Sequence, residues 1–324
     1  MTAAAHASMV ARTRPCVPPR ATNLSQSPAT LTPNARGALW MLASAVSFTG
    51  MAVCLKLLAT RGFPESQMVF ARCAAGFLAL APFLLTASRA SLRIARPGPL
   101  LIRCTFSTIG FFAGFYAFAH LPLAQAQAIS FSRVLFIVVL AVWMLKERVA
   151  WRRWTAVAVG FIGVLVMVRP TSASLDLAAL MAVASAFFFA VAIVTVKDLT
   201  RDHSTFALVL YTNAFTTIAG LPFAFMGWTT PSLGEAALLA LLGFTGVAAQ
   251  SCYVRALSYG EASVVGLVDY VRLPLAAIAG FALFAEAPDF ATVAGAAIII
   301  GATAYITWRE SRVAAERAPA SADS

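Results

Sequence analysis

"SRVLFIVVLAVWMLKE" occupies residues 132–147, and "VRLPLAAIAGFALFAE" occupies residues 271–286. Each is an almost unbroken apolar run with an arginine near its start and a glutamate at its end. The spacing is the same in both, fourteen residues from Arg133 to Glu147 and fourteen from Arg272 to Glu286. A charge inside so apolar a segment is costly, so two placed alike ask for a common cause. Displacing the chain against itself by 139 residues supplies one. Ala117 then meets Ala256, Ala124 meets Ser263, Phe131 meets Tyr270, Arg133 meets Arg272, Ala141 meets Gly280 and Glu147 meets Glu286. No gap is needed between 117 and 147, so the chain repeats itself.

Composition sets the medium in which the repeat folds. The chain has 324 residues, of which 60% are hydrophobic and only 11% charged, with a mean hydropathy of +0.81. Soluble domains carry about 25% charged residues. A chain this apolar has too little polar surface to face water on all sides, and a membrane protein is the expected class. A helical span needs about 20 mostly apolar residues to cross about 30 Å of hydrocarbon. Ten segments qualify: 38–58, 66–87, 99–119, 124–145, 152–168, 176–196, 204–227, 235–256, 262–284 and 289–307. They are too long for barrel strands and lack the alternation a barrel requires. Residues 1–36 mix Ala, Ser, Thr, Pro and Arg without the 7–15-residue apolar core of a secretory signal and read as a disordered cytoplasmic tail; 309–324 form a second tail. Five cysteines without a CxxC pair suggest neither a disulfide nor a metal site.

The net charge of +11 invites nucleic acid as a partner, but its placement does not. With the amino terminus in the cytoplasm, eighteen Lys and Arg fall on the inner side and two, Arg61 and Arg169, on the outer. This is the positive-inside bias of an inner-membrane protein with both termini cytoplasmic. The inner group includes Arg103, counted with the loop before the third span. Four basic residues remain, Lys56, Arg72, Arg133 and Arg272, all within spans. Spans four and nine correspond under the repeat, and five spans per half is an odd number, so the halves must be inverted. Flanking charge agrees: Glu147 lies in "KERVAWRR" and Glu286 in "EAPDFA". The expected fold is all-α, ten transmembrane helices as two inverted five-helix repeats around a central cavity, an architecture of secondary transporters.

The segment "YAFAHLPLAQAQAISFSRVLFIVVLAVWMLKERVAWRRWTAVAVGFIGVLVMVRP" (116–170) resembles the end of an EamA domain, the repeat of the drug/metabolite transporter superfamily. Its marks are the small-residue turn into span four, the Glu after that span, and a glycine-bearing fifth span ending in Arg-Pro. "YVRALSYGEASVVGLVDYVRLPLAAIAGFALFAEAPDFATVAGAAIIIGATAYI" (253–306) resembles the second copy. The resemblance implies a first repeat over 37–170, a second over 175–308, and peripheral fifth and tenth spans. It also implies secondary transport of a small organic metabolite across the cytoplasmic membrane by alternating access. Riboflavin, S-adenosylmethionine and amino acids are among the compounds linked to related proteins; broad-specificity efflux of drugs or metabolites is the alternative. No cofactor is implied, and a homodimer is left open.

Arg133 lies about nine residues, or about 14 Å, into span four, and Arg272 is about as deep in span nine. At that depth a charge costs at least about 2.5–3.5 kcal/mol and must face protein or water. One reading makes Asp269, at i−3, a structural partner of Arg272. The other has both arginines face a hydrated cavity and fork onto an anionic group of the substrate; Arg133, with no acid within a turn, favours it. Arg72 is a third substrate-binding candidate, while Lys56, near the end of span one, can snorkel. Asp269 could serve as a coupling residue or as a structural one. Phe131 and Tyr270, related by the repeat and adjacent to its arginines, are candidate binding aromatics, with Tyr116 and Tyr253 as hydroxyl-bearing companions. Asn213 and Gln250 could line the cavity or bridge helices. Glu147 and Glu286, at membrane edges, suggest structure. Pro274 should kink span nine, whereas span four, with Leu135 at that position, should not kink.

Enzymatic activity is the rival class, and the sequence offers it little. The three histidines, at 6, 120 and 203, cannot gather, and no metalloprotease, nucleophile-elbow or phosphate-loop pattern is present. A channel or scramblase is the third class, distinguished by the lack of saturable flux.

Overall fold

In the computed structural model the protein is described over residues 33–86, 94, 96–145, 151–168, 176–199, 205–259 and 268–317. Among these residues every regular element is an α-helix: α1 (Pro33–Thr60), α2 (Glu65–Thr86), α3 (Pro97–His120), α4 (Leu123–Ser130), α5 (Arg133–Leu145), α6 (Trp151–Val168), α7 (Leu177–Leu199), α8 (Thr205–Phe225), α9 (Leu233–Tyr259), α10 (Arg272–Phe284) and α11 (Phe290–Arg317). Residues 1–32 and 318–324, Glu147 and His203 lie outside the described residues, whereas 33–36 and 309–317, expected within disordered tails, continue α1 and α11 as helix. Among the described residues, six helical stretches are long and apolar enough to cross a membrane: 35–60, 97–120, 123–143, 177–195, 206–225 and 233–259. Those at 154–168, 272–284 and 290–306 are apolar but shorter. The outer surface is itself apolar. Trp143, Leu233 and Phe290 are 79%, 90% and 87% exposed, a pattern that suits lipid and would be a liability in water.

Packing follows the repeat. Take α1, α2, α3, α4–α5 and α6 as counterparts of α7, α8, α9, α10 and α11. Then α1 packs on α9 as α3 packs on α7, and α1 meets α10 as α5 meets α7. The self-related pairs α2–α8, α4–α10 and α6–α11 also touch. The halves therefore interlock by exchanging first and third helices.

Span four is broken. The Phe131, Ser132 and Val134 N–H groups donate to the carbonyls of Ala128, Ile129 and Phe131 at 3.1, 2.9 and 3.1 Å, a tightened i→i−3 turn. The second half breaks at the equivalent place: Val271 N–H donates to Val268 O at 3.1 Å and Leu273 N–H to Tyr270 O at 3.0 Å. This corrects the expectation of a single kink at Pro274. That proline occupies the third position of α10, where its missing N–H would have no intrahelical partner in any case. The break precedes the arginine in both halves and needs no proline.

A buried ion pair fixes the entry to α4. Lys56, 6% exposed, does not snorkel. Its Nζ pairs with Glu286 and donates to the Leu121 carbonyl at 2.6 Å. The other carboxylate oxygen of Glu286 accepts the N–H of Leu123, the first residue of α4, at 2.9 Å. Glu286 thus joins both halves and caps an orphan donor that Pro122 cannot cap. Ala285, at φ 54°, turns the chain into the left-handed region that aims Glu286 back.

Close approach at α6–α11 explains the glycines of the fifth spans. A Cβ on Gly163 would lie 3.0 Å from the Gly295 carbonyl, and one on Gly295 would lie 2.7 Å from the Gly163 carbonyl. Small residues let membrane helices meet backbone to backbone.

Two predictions come from this packing. Gly163→Val should cost about 1–3 kcal/mol by overpacking and lower the unfolding temperature in detergent, whereas Gly301→Ala, facing open space, should not; equal behaviour would refute the close-contact account. Glu286→Ala strands Lys56 and should cost about 3–5 kcal/mol, while Lys56→Met with Glu286→Leu should recover most of it. A double variant no more stable than the single would count against the pair.

Candidate functional site: a central arginine-lined cavity

The interlocked halves enclose a cavity of ≈ 620 Å³, in the usual range for sites that take small organic molecules. Its walls come from α1, α2, α3, α4, α5, α7, α8, α9, the segment around Asp269 and Tyr270, and the first residue of α10. Neither α6 nor α11 contributes, in keeping with peripheral fifth spans. The lining reaches Arg103, Ile193, Val209 and Leu257 at one end. At the other end it stops at Leu55 and Phe118, short of Lys56 and Glu286.

The two helix breaks face this cavity. Phe131 and Tyr270, related by the repeat, both line it, with ring centroids 5.0 Å apart. The Tyr270 hydroxyl donates to Thr303. Arg133 and Arg272 open α5 and α10, so the two breaks bring both guanidiniums to the cavity wall.

One carboxylate joins these arginines. Asp269 Oδ1 lies 2.6 Å from Arg272 Nη2, and its Oδ2 lies 3.8 Å from Arg133 Nη2. The sequence displays the i,i+3 contact with Arg272. It hides the contact with Arg133, because Arg133 and Asp269 are 136 positions apart in the chain. The lack of a nearby acid inferred for Arg133 is therefore corrected. Asp269 serves both arginines, and its repeat counterpart, Ser130, carries no charge. Ser130 lines the cavity and donates to the Gln127 carbonyl at 2.6 Å.

Aromatic faces hold two of the guanidiniums. Arg272, 3% exposed, lies 3.8 Å from the Phe48 ring centroid and 5.8 Å from that of Tyr253. Arg72, 8% exposed, lies 4.3 Å above Phe111. Stacking on one flat face fixes the plane and leaves the N–H edge available. The Nε atoms of Arg72 and Arg272 have no hydrogen-bond partner among the described residues.

The expected site residues Arg72, Arg133, Arg272, Phe131, Tyr270, Tyr253 and Asp269 all line the one cavity, as do Asn213 and Gln250. Tyr116 does not; it packs against the neighbouring apolar cluster and stacks on His120, with centroids 4.2 Å apart. Its place on α3 turns it away from the cavity that Phe111, Phe115 and Phe118 face. The sequence reading missed Arg103. It was assigned to a cytoplasmic loop, but α3 begins at Pro97 and carries Arg103 onto the cavity wall, where Nη1 donates to the Ala192 carbonyl at 3.1 Å. The Pro-Gly-Pro at 97–99 was the available signal, since proline favours a helix's first turn.

With this geometry in hand, likeness to known proteins becomes informative. The family described as the EamA-like transporter family matches twice, over residues 35–169 and 176–308. The S-adenosylmethionine uptake transporter of Rickettsia prowazekii is 32% identical over 276 residues, covering 85% of this chain and 94% of its own. The riboflavin transporter of Vibrio cholerae is 31% identical over 289 residues, covering 87% and 96%. The pseudopaline exporter CntI of Pseudomonas aeruginosa is 29% identical over 268 residues, covering 82% and 93%. One solved crystal structure superposes over 84% of this chain and 98% of its own, with a TM-score of 0.57 and 20% identity, which speaks for the fold alone. Two matches that together span nearly the whole described chain, with relatives above 30% identity, place it: this protein belongs to the EamA-like transporter family and is a multi-pass membrane protein.

Proposed function

We propose that the protein is a secondary transporter that moves a small organic metabolite across the cytoplasmic membrane by alternating access. In this reading ten spans form two inverted five-helix repeats with both termini cytoplasmic. The observation that carries it is the cavity at the helix breaks, where Arg133 from one half and Arg272 from the other share Asp269. Broken helices at mid-membrane, facing a cavity between repeats, are the usual substrate position in such carriers. Under the assigned topology the Lys56–Glu286 end is external, and the cavity walls extend toward the cytoplasmic ends of α3, α7 and α9. In this reading the cavity belongs to an inward-facing state. Compounds of the size of riboflavin or S-adenosylmethionine are the substrate candidates that the relatives' names suggest. Export, in line with the pseudopaline exporter, is the second reading of direction.

Proteoliposome counterflow tests transport without fixing its direction. Saturable exchange of a preloaded compound is expected, and flux linear in concentration would indicate a pore instead. Arg133→Lys keeps the charge but loses the fork, so affinity should fall about tenfold or more, about 1.4 kcal/mol or above. Arg133→Gln should fall further, with membrane abundance unchanged. Normal exchange in Arg133→Gln would remove Arg133 from the site. Asp269→Asn leaves Arg133 and Arg272 facing each other unneutralised and should impair exchange and gradient-driven uptake alike. Loss of gradient-driven uptake alone would make Asp269 a proton relay.

A further inference from the structure

Among the described residues the cavity is lined by four arginines, Arg72, Arg103, Arg133 and Arg272, and a single acid, Asp269. Three positive charges are thus unmatched within its walls. Arg72 and Arg103 have no carboxylate within ion-pair distance among the described residues. Burying such charges at membrane depth is expensive; Arg103 is partly offset by the Ala192 carbonyl, whereas Arg72 joins no acid among the described residues.

The arginines are also spread along the cavity. Arg72 sits over Phe111, eight residues along α3 from Arg103, which is about 12 Å of helix. Its Nε would lie 3.3 Å from a Cβ on Gly246, while Arg272 approaches Tyr253, seven residues along α9 from Gly246, or about 10 Å. Arg72 therefore forms a cationic locus of its own, apart from the Arg133–Asp269–Arg272 cluster. The wall that carries the two loci is aromatic, with Phe111, Phe115 and Phe131 among its residues.

Building on the transport reading, we propose that the cavity selects a net-anionic organic compound with a flat ring. Its oxyanion, carboxylate or phosphate, is held on the free edge of Arg72, and its ring lies among the aromatic side chains. Three features converge on Arg72. It is more than nine-tenths buried, its plane is set by Phe111, its Nε has no partner among the described residues, and its Nη1 makes only a long contact, 3.8 Å, to the Cys73 thiol. A guanidinium so placed offers a forked pair of donors to an oxyanion in a low-dielectric site, where charge-assisted bonds are strong. The same excess of positive charge disfavours a net cation, so S-adenosylmethionine, which carries a sulfonium and an ammonium against one carboxylate, is a poor fit.

The test uses three compounds that share one fluorescent ring: neutral riboflavin, riboflavin 5′-phosphate and carboxymethylflavin. Binding to the purified full-length protein is followed by flavin fluorescence at low salt. At least one anionic flavin should bind tenfold or more tightly than riboflavin. That preference should fall about tenfold in Arg72→Gln and persist in Arg255→Gln, which alters an exposed arginine outside the cavity. A preference for the phosphate alone assigns a phosphate site, and one shared by both anions shows that a carboxylate suffices. Equal or tighter binding of riboflavin, no response to either anionic flavin, or a preference untouched by Arg72→Gln overturns the proposal. Failure of the underlying transport reading would show separately, as the absence of saturable counterflow for anionic, neutral and cationic compounds alike, S-adenosylmethionine included.

Discussion

One carboxylate held between two arginines organises this molecule. Arg133 and Arg272 begin α5 and α10 at the two points where the membrane-depth helices break, and Asp269 reaches both. Without it, two guanidiniums would face one another in a poorly solvated cavity. With it, the cluster keeps one unit of positive charge and ties the breaks together across the halves. The partner is unsymmetrical, since the repeat places Ser130 where the second half has Asp269. A symmetric scaffold therefore carries an asymmetric site, which suits a substrate that lacks two-fold symmetry.

The second buried pair performs a different task. Lys56 and Glu286 also connect the halves, but they lie at one end of the bundle and engage the backbone at Leu121 and Leu123. Glu286 thus acts by capping α4 and pairing with Lys56, and Arg272, fourteen residues earlier, acts at the cavity. Two charges at fixed spacing in one apolar segment have separate physical reasons for being there.

Much of this was legible in the sequence, because a repeat converts a single observation into a pair. The displacement of 139 residues matched Phe131 with Tyr270 and Arg133 with Arg272, and both matches meet in space. Hydropathy located the helices, although several are shorter than a full span. What stayed hidden depends on contacts that no local pattern encodes. Asp269 lies one turn from Arg272 and far from Arg133 in sequence, so only the fold reveals that it serves both. Arg103 lies inside the expected span 99–119 but counted as loop charge, being close to its start; only the fold shows it on the cavity wall. The symmetric break was missed because proline was the only breaker in view; in fact the turn tightens to i→i−3 bonding with no proline present in span four. Tyr116 shows the converse limit: being aromatic, polar and at the right depth does not fix which way a helix face points.

The central claim is that two halves of opposite orientation flank one cavity, and sidedness tests it most directly. Single cysteines at His120 and Ala287, in a background with the native cysteines replaced, can be probed with a membrane-impermeant thiol reagent on intact cells. The account predicts labelling of both from outside, with a cysteine at Arg96 labelled only after the membrane is opened. Protection of both His120 and Ala287 positions, or labelling of Arg96 from outside, would contradict the inverted arrangement on which the shared site rests.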